Sequence, residues 1–367
     1  GPSQAIFPMC AALRAQGIDA AVASTDAEID ATLPRKAFTT HKGVPVILFP
    51  RQLGNSMKYS RALSTWLTEN VSNYDVVHIH AVFNHSCIAA ARACRKHGVP
   101  YVVRPLGTLD PWSMNQKSLR KSVFWKVAGN RMMQNAAAVH YTARAEKQAV
   151  EESLGLNHGR VVPLGVDLTV TQGNGLQRTE FPQLTGHPYV LVLSRLHSKK
   201  GLDVLLESFI PLVKQEEFSN WRLVIAGDGP SDYSTKLKQQ VRAAGAEEFV
   251  LFTGWLEGAV KESVLRNASL LALPSRHENF GLCVLEALAY GVPVLISPHV
   301  NLAEDIQSAN AGWIAPVDKE SIQSALSETM RSTEERRTRG NAGKKFAAQF
   351  AWPNVAAQLV ELYGNIV

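Results

Sequence analysis

No stretch of the 367 residues holds the roughly 18–20 consecutive apolar residues that a membrane-spanning helix requires, which excludes an integral helical membrane protein. Cysteine is scarce. Cys10, Cys87, Cys94 and Cys283 form no Cys-x-x-Cys pair and none stands beside a histidine at metal-ligand spacing. They read as isolated buried thiols of a reducing compartment. A large excess of one charge is also lacking: 38 Lys and Arg against 32 Asp and Glu leave +6. That balance suits an anionic small molecule or an anionic membrane surface and is too mild to indicate nucleic acid. Aromatic residues are too sparse to favour base stacking. No secretory signal pattern opens the chain, so a cytoplasmic protein is expected. The chain instead begins Gly1-Pro2-Ser3-Gln4 and runs directly into an apolar helical pattern. A doubly wound domain begins with a strand feeding a glycine-containing turn, so a first strand is expected to be missing from this sequence.

What is present is the make-up of an ordinary globular chain, 46% hydrophobic and 19% charged. At roughly 100–200 residues per domain the length allows two domains or three. Short apolar runs alternate with helical patterns from end to end, the signature of parallel βαβ units. In the first half strands are expected at residues 20–23, 44–49, 76–80, 101–104 and 137–141, with helices such as 59–71, 85–97 and 117–133 between them. Residues 169–188 are polar, aperiodic and punctuated by Gly and Pro, and read as a linker. Beyond it the alternation resumes at 189–193, 222–226, 249–252, 270–273, 293–296 and 312–315. The expected fold is α/β, two doubly wound Rossmann-like domains facing across a cleft. The expected parts are residues 1–168, residues 169–351, and a last helix in 352–367 packing back on the first domain. Ligands of open parallel sheets bind beyond the carboxyl ends of the strands, so chemistry is expected in that cleft.

The densest chemical signal is Ser275-Arg276-His277-Glu278-Asn279-Phe280-Gly281-Leu282-Cys283-Val284-Leu285-Glu286. It starts just past a strand, and Phe280-Gly281 opens an apolar helix. A helix head carries free N–H groups and the positive end of the dipole, a ready place for a phosphate. Glu278 lies before that head and Glu286 about two turns inside the helix. Two carboxylates so spaced are able to bond hydroxyls at opposite ends of a ligand whose phosphates sit between them. The plain structural alternatives are a helix-dipole partner for Glu278 and a solvated surface residue for Glu286. The second is weakened by Leu285, Ala287 and Leu288, which read as buried. A further signal, Ser194-Arg195-Leu196-His197-Ser198-Lys199-Lys200-Gly201, again lies between a strand and a helix. Arg195 and Lys200 form two fixed cations able to neutralise a diphosphate leaving group. A solvated basic loop is the alternative, and Lys199 reads as surface charge.

Arg195…Lys200-Gly201, Ala226-Gly227-Asp228-Gly229-Pro230, Phe252-Thr253-Gly254-Trp255 and Glu278-x7-Glu286 together resemble the retaining enzymes of glycosyltransferase family 4, which have the GT-B fold. The resemblance covers nearly the whole chain and is densest over residues 189–300. It implies that Arg195 and Lys200 hold the diphosphate of a nucleotide-sugar donor. Glu278 then contacts the donor sugar hydroxyls, Phe280 and Gly281 offer backbone N–H groups, and Glu286 binds the ribose. Asn279 and Leu282 fall on the same donor-binding loop, and the turn Gly254-Trp255-Leu256 borders the nucleobase. It also implies hexosyl transfer with retention, to a sugar or lipid-linked sugar in polysaccharide or glycolipid assembly, with no metal and no cofactor beyond the co-substrate. The chain fits, in that it contains no Asp-x-Asp to chelate a metal–diphosphate pair. Two glutamates suggest a glycosidase pair at first. With one carboxylate at the ribose and two cations on a leaving phosphate, catalysis rests instead on stabilising departing charge and placing the acceptor hydroxyl.

In the first domain, Asp75-Val76-Val77-His78-Ile79-His80 ends a strand, and the period of two puts both histidines on one face. A satisfied buried histidine is the plain reading of His78. His80 falls where the resembled family carries a functional histidine, and is expected in the active site as base or orienter. Arg104-Pro105-Leu106-Gly107-Thr108-Leu109-Asp110-Pro111-Trp112 resembles the P-x-G-x-L-x-P-W segment of polysaccharide-building members, with Arg104 and Thr108 as candidate acceptor contacts. A turn-forming Pro/Gly loop is the alternative. Val162-Pro163-Leu164-Gly165-Val166-Asp167 matches the family's interdomain P-N-G-V-D except that Leu164 replaces Asn, which leaves a backbone role. Gly1-Pro2-Ser3 resembles the tail of the donor-side glycine-rich loop. Residues 117–133 mix Lys117, Arg120, Lys121, Lys126 and Arg131 with bulky apolar residues at helical spacing. Such a helix either faces the core with a cationic solvent side or docks on an anionic bilayer.

Against a nucleotide-sugar glycosyltransferase stand an epimerase or phosphorylase on the same fold and a non-catalytic hinged sugar- or nucleotide-binding protein. No lysine sits in an evident pyridoxal phosphate setting, and both cations together with both glutamates count against mere binding. A dinucleotide dehydrogenase is excluded, because Gly227-Asp228-Gly229-Pro230 lacks the third glycine of G-x-G-x-x-G.

Overall fold

Valine, leucine and isoleucine dominate the strands, as parallel sheets covered by helices on both faces require. The computed structural model of the chain describes residues 2–27, 33–52, 57–110, 113–114, 118–168 and 181–367, and of residues 2–4 and 118–120 the backbone alone. Gly1, Pro111, Trp112, Lys117 and residues 169–180 of the expected linker lie outside the described residues. The chain divides into two units. The first runs to Gly165 and takes in Trp352–Val367, and the second is Val166–Ala351.

Unit 1 contains α1 (Pro2–Ala15), β1 (Val22–Thr25), β2 (Phe38–His41), β3 (Val44–Phe49), α2 (Arg61–Asn70), β4 (Val77–His80), α3 (His85–His97) and β5 (Tyr101–Arg104). It continues with α4 (Ser118–Phe124), a π-helical turn over Trp125–Gly129, α5 (Asn130–Gln134), β6 (Ala138–Tyr141), α6 (Arg144–Leu154) and β7 (Gly159–Val161). The strands form a three-stranded sheet of order β1-β3-β2 and a four-stranded parallel sheet of order β4-β5-β6-β7. The strand expected at 20–23 forms two residues later, at Val22–Thr25, in parallel pairing with β3. β2 runs antiparallel to β3, a pairing that an all-parallel reading did not foresee. Turns follow local chemistry. Asn84 caps α3 by accepting from the Cys87 N–H at 3.0 Å, and Gly98, with φ 72°, ends it in the left-handed region.

The C-terminal helix, Trp352–Gly364, belongs to unit 1. Its Val355, Ala356, Leu359 and Leu362 share a core with Met9, Cys10 and Leu13 of α1, Val44, Val102 and Ala138. Gly165 is required there: a Cβ would meet the Trp352 indole at 2.2 Å.

Unit 2 is a six-stranded, wholly parallel sheet of order β10-β9-β8-β11-β12-β13. Its strands are β8 (Tyr189–Leu193), β9 (Arg222–Ala226), β10 (Val250–Gly254), β11 (Leu270–Leu273), β12 (Val294–Ile296) and β13 (Gly312–Ile314). The crossing helices are α7 (Leu202–Val213), α8 (Ser231–Ala243), α9 (Gly258–Arg266), α10 (Leu282–Ala289), α11 (Ala303–Ser308), α12 (Lys319–Arg331) and α13 (Thr333–Ala348), so the C-terminal helix Trp352–Gly364 is α14. The strand order reverses between β8 and β11. The loops leaving their carboxyl ends diverge there and open a crevice, the general ligand position of doubly wound sheets.

Candidate active site

Both basic and acidic motifs leave strands that flank the reversal. The 194–201 loop follows β8, and the 274–281 loop follows β11. Close backbone approach holds the first of them. Ser194 N–H donates to the Ala226 carbonyl at 3.1 Å and Leu196 N–H to that of Asp228 at 2.8 Å. A Cβ at Gly227, whose φ is 145°, would lie 1.8 Å from the Ser194 oxygen, and one at Gly229 would lie 2.0 Å from that of Leu196. The Gly-Asp-Gly-Pro motif is thus a backbone seat for the basic loop. A second tie joins the two loops: Arg276 donates its N–H to the Lys199 carbonyl at 2.7 Å and its guanidinium to both Asp203 oxygens at 3.2 Å.

This packing brings Lys200 and Glu278 together. Lys200 is buried, and its ammonium donates to Glu278 Oε2. Glu278 is fixed on its other side through the backbone, its N–H donating to the His299 carbonyl at 3.0 Å and its own carbonyl accepting from Asn301 at 3.1 Å. Gly281, with φ 73°, turns the chain into α10, where Phe280 is buried against Phe350 and Leu282 is half-buried. Asn279 Oδ1 accepts from Asn301 Nδ2 at 3.4 Å. On the same helix Glu286 accepts from Lys261 Nζ of α9 at 2.7 Å. Between the two ion pairs lies Cys283. Burial pushes its thiol up to about 12, and the charges of Lys200, Glu278, Glu286 and Lys261 all reach it. Arg195 is exposed, and its guanidinium has no ion pair among the described residues. Gly254, with φ 73°, accepts from Gly227 N–H at 2.8 Å. Trp255, 47% exposed, donates its N–H to Asp228 Oδ2 at 3.2 Å and its indole N–H to Glu257, with Leu256 half-buried beside it.

The solvated-basic-loop alternative therefore fails for Lys200 and stands for Arg195. A solvated Glu286 is likewise not what forms. An ion pair about a third exposed adds at most about 1 kcal/mol, so the Lys261–Glu286 pair carries little of the fold's stability.

In unit 1, His80, Arg104 and His140 stand at the carboxyl edge of neighbouring strands, with His80 and Arg104 in register. His78 is satisfied on both nitrogens, Nδ1 at 2.8 Å from the Tyr363 hydroxyl and Nε2 at 3.1 Å from His140 Nδ1. His80 differs. Its Nδ1 is enclosed without a hydrogen-bond partner among the described residues, and its ring stacks on His78 at 4.4 Å. The chain turns sharply just after it: Ala81 has φ 90°, a strained conformation for a residue with a Cβ, of the kind that gathers at functional sites. Arg104 is 1% exposed, with Nε and Nη2 unpartnered, and burial lowers its guanidinium to about 10. Glu146, equally enclosed, faces it electrostatically and accepts from the N–H groups of Gly107 and Thr142 at 2.8 and 2.7 Å and from the Thr142 hydroxyl at 2.8 Å. Arg104 is thus set in the core rather than on a surface. The Thr108 hydroxyl donates to the Pro105 carbonyl at 2.6 Å, which is the turn-forming alternative.

A family model described as "Glycosyl transferase 4-like domain" matches residues 1–166, and one described as "Glycosyl transferases group 1" matches residues 176–346. The chain belongs to the family 4-like glycosyltransferases. Among curated members, it is 30% identical over 182 residues to a mannosylfructose-phosphate synthase of Agrobacterium fabrum, covering 47% of this chain and 39% of that protein. It is 23% identical over 335 residues to the GDP-mannose:cellobiosyl-diphosphopolyprenol alpha-mannosyltransferase of Xanthomonas oryzae, covering 89% and 82%. The chain thus spans less than half the length of the first of these relatives and most of the second. The sucrose-phosphate synthase of Thermosynechococcus elongatus, 20% identical, superposes with a TM-score of 0.81 over 100% of this chain and 93% of that one. That likeness gives the fold: GT-B, built of two Rossmann-like units.

Several contributors went unread in the sequence, among them His140 and Glu146, which fall in an ordinary strand and helix pattern. Lys261 gave no signal, being a single lysine on an amphipathic helix. Tyr363 lies in a terminal helix whose apolar period marks only a packing face. Among the described residues no group of three or more His, Cys, Asp or Glu is arranged to hold a metal ion, and no helix is long and apolar enough to cross a membrane.

Proposed function

We propose that this protein transfers a hexose from a nucleoside-diphosphate sugar to an acceptor hydroxyl, with retention and without a metal, in polysaccharide or glycolipid assembly. The observation that carries the reading is the convergence at the strand-order reversal: the Lys200–Glu278 pair at the head of α10 and the Lys261–Glu286 pair two turns along it, around Cys283. On donor arrival Lys200 and the flexible-stemmed Arg195 take the diphosphate, together with the N–H groups of the α10 first turn around Gly281. Glu278, released from Lys200, accepts from the sugar hydroxyls. Glu286 binds the ribose, and Gly254-Trp255-Leu256 border the base. The cations stabilise the charge that develops on the leaving phosphate, which takes the acceptor proton. Unit 1 serves the acceptor, with His80 as its polar active-site residue. The Xanthomonas relative is named for a GDP-mannose donor and a diphosphopolyprenol-linked acceptor, which supports a lipid-linked acceptor here. An anionic membrane surface is the fitting place for one. The 118–134 segment presents Val123 and Val127 at 56% and 72% exposure beside exposed Lys126 and Arg131.

The test is a thermal-shift panel of nucleotides with UDP- and GDP-sugars, followed by nucleotide release with and without EDTA. One nucleotide class should raise the melting temperature, since a ligand of the native state stabilises it, and EDTA should leave release unchanged. No shift by any nucleotide, or release lost to EDTA and restored by Mn²⁺, contradicts the reading.

A further inference from the structure

Three side chains in unit 1 join into a chain whose proton positions follow from one fixed end. The Val162 carbonyl oxygen only accepts, so His140 Nε2, 2.7 Å away, carries a proton. A neutral imidazole has one N–H, which makes His140 Nδ1 an acceptor. His78 Nε2, 3.1 Å from it, therefore donates. His78 Nδ1 in turn accepts, at 2.8 Å, from the Tyr363 hydroxyl. Both rings stay neutral. Burial first, and the Arg104 charge beside them, hold His78 down to about 3 and His140 well below its usual range. Burial also raises the Tyr363 phenol, which keeps it the donor. All three bonds run one way, from α14 through β4 and β6 to the residue after β7.

His80 is the next ring. It has no side-chain hydrogen bond among the described residues, and it lies on His78 at 4.4 Å with 28° between the planes. Whatever fixes His78 thus fixes the platform on which the His80 imidazole rests.

We infer that Tyr363 is a positioning residue, which by setting the tautomer and tilt of His78 orients the His80 ring for the transfer. This rests on the reading of His80 as an active-site residue. A tyrosine that merely docked α14 would act through its ring and not through its hydroxyl, and Tyr363→Phe in the full chain separates the two. By ¹⁵N imidazole NMR at neutral pH, wild-type His78 and His140 should both appear as neutral Nε2–H tautomers. In the variant His140 keeps its tautomer while the His78 and His80 resonances move. Nucleotide release from UDP-glucose or GDP-mannose, whichever the wild type uses, should fall on the order of tenfold in kcat with the donor KM unchanged. The shift in melting temperature given by UDP or GDP should be the same in both proteins. Wild-type His78 protonated on Nδ1 overturns the inference, as does a variant with the wild-type imidazole spectrum, whether or not its kcat falls. A variant with a shifted spectrum and wild-type kcat overturns the role in transfer. A wild type inert toward both donors overturns the transfer reading instead, and the imidazole spectra then decide the hydrogen-bond chain by themselves.

Discussion

A lysine ammonium and a glutamate carboxylate, each mostly shielded from water, hold one another at the head of α10. Such a pair is costly to break from one side only, because the remaining charge stays enclosed. Lys200→Ala is therefore expected to lower kcat by about two orders of magnitude, the scale of removing one group that stabilises developing charge. Its melting temperature should fall too, so the comparison belongs well below it. Glu286→Ala differs, since its partner Lys261 is freer to reach water. It should weaken donor binding about tenfold and leave the fold nearly unchanged, the scale of one charged hydrogen bond. Nucleotide-sugar titration and steady-state kinetics check both: wild-type turnover in Lys200→Ala, or wild-type donor affinity in Glu286→Ala, removes that residue from the donor site.

Secondary-structure elements were the most legible level of this sequence, for a physical reason. Strands covered on both faces are unbroken apolar runs, so β8, β9, β11 and β12 stand out without any partner being known. β2 was not legible: Phe-Thr-Thr-His is half exposed and exists as a strand through its pairing with β3. The π-helical turn at Trp125–Gly129 was hidden as well, since nothing in residue type marks where one hydrogen bond skips a residue. The glycines of Gly-Asp-Gly-Pro were visible as a motif, yet their purpose lay in contacts with residues some thirty positions earlier. Convergence of Lys261 on Glu286 depends on how two helices pack, which no local pattern encodes. The 118–134 segment yields a test at this level. No acidic residue falls between Asp110 and Glu146 in the sequence, so the exposed strip is uniformly cationic. Changing Val123 and Val127 together to Asp should reduce co-sedimentation with phosphatidylglycerol vesicles severalfold, with melting unchanged. Equal sedimentation of variant and wild type removes the membrane role from this segment.

At the level of the whole molecule, the histidine cluster writes an acid sensitivity into the stability of the protein. His78, His80 and His140 are held neutral by burial and by Arg104 when folded. In the unfolded chain each takes up a proton as pH falls through about 6.5. Depressed histidine values therefore give stability that is present above that pH and lost below it, at up to about 1.4 kcal/mol per pH unit for each ring. Glu146, raised by burial, works in the opposite sense and is one group against three. Tyr363, Cys10 and Cys87, further titratable neighbours among the described residues, are raised by burial and keep their protons throughout. Melting temperature should accordingly decline from about pH 6.5 to about pH 5, before most carboxylates titrate. A flat profile over that interval means the rings are not held neutral.

The return of α14 to the unit made first has a consequence for biosynthesis. Val355, Ala356, Leu359 and Leu362 complete a core whose other buried members lie before residue 163. Translation releases those earlier residues long before their partners exist. Unit 2 is continuous in sequence and able to close as soon as Ala351 clears the ribosomal tunnel. Unit 1, although most of it is translated ahead of unit 2, keeps Met9, Leu13 and Val102 uncovered until residues 352–364 emerge, so its core closes only after the whole of unit 2 has been made.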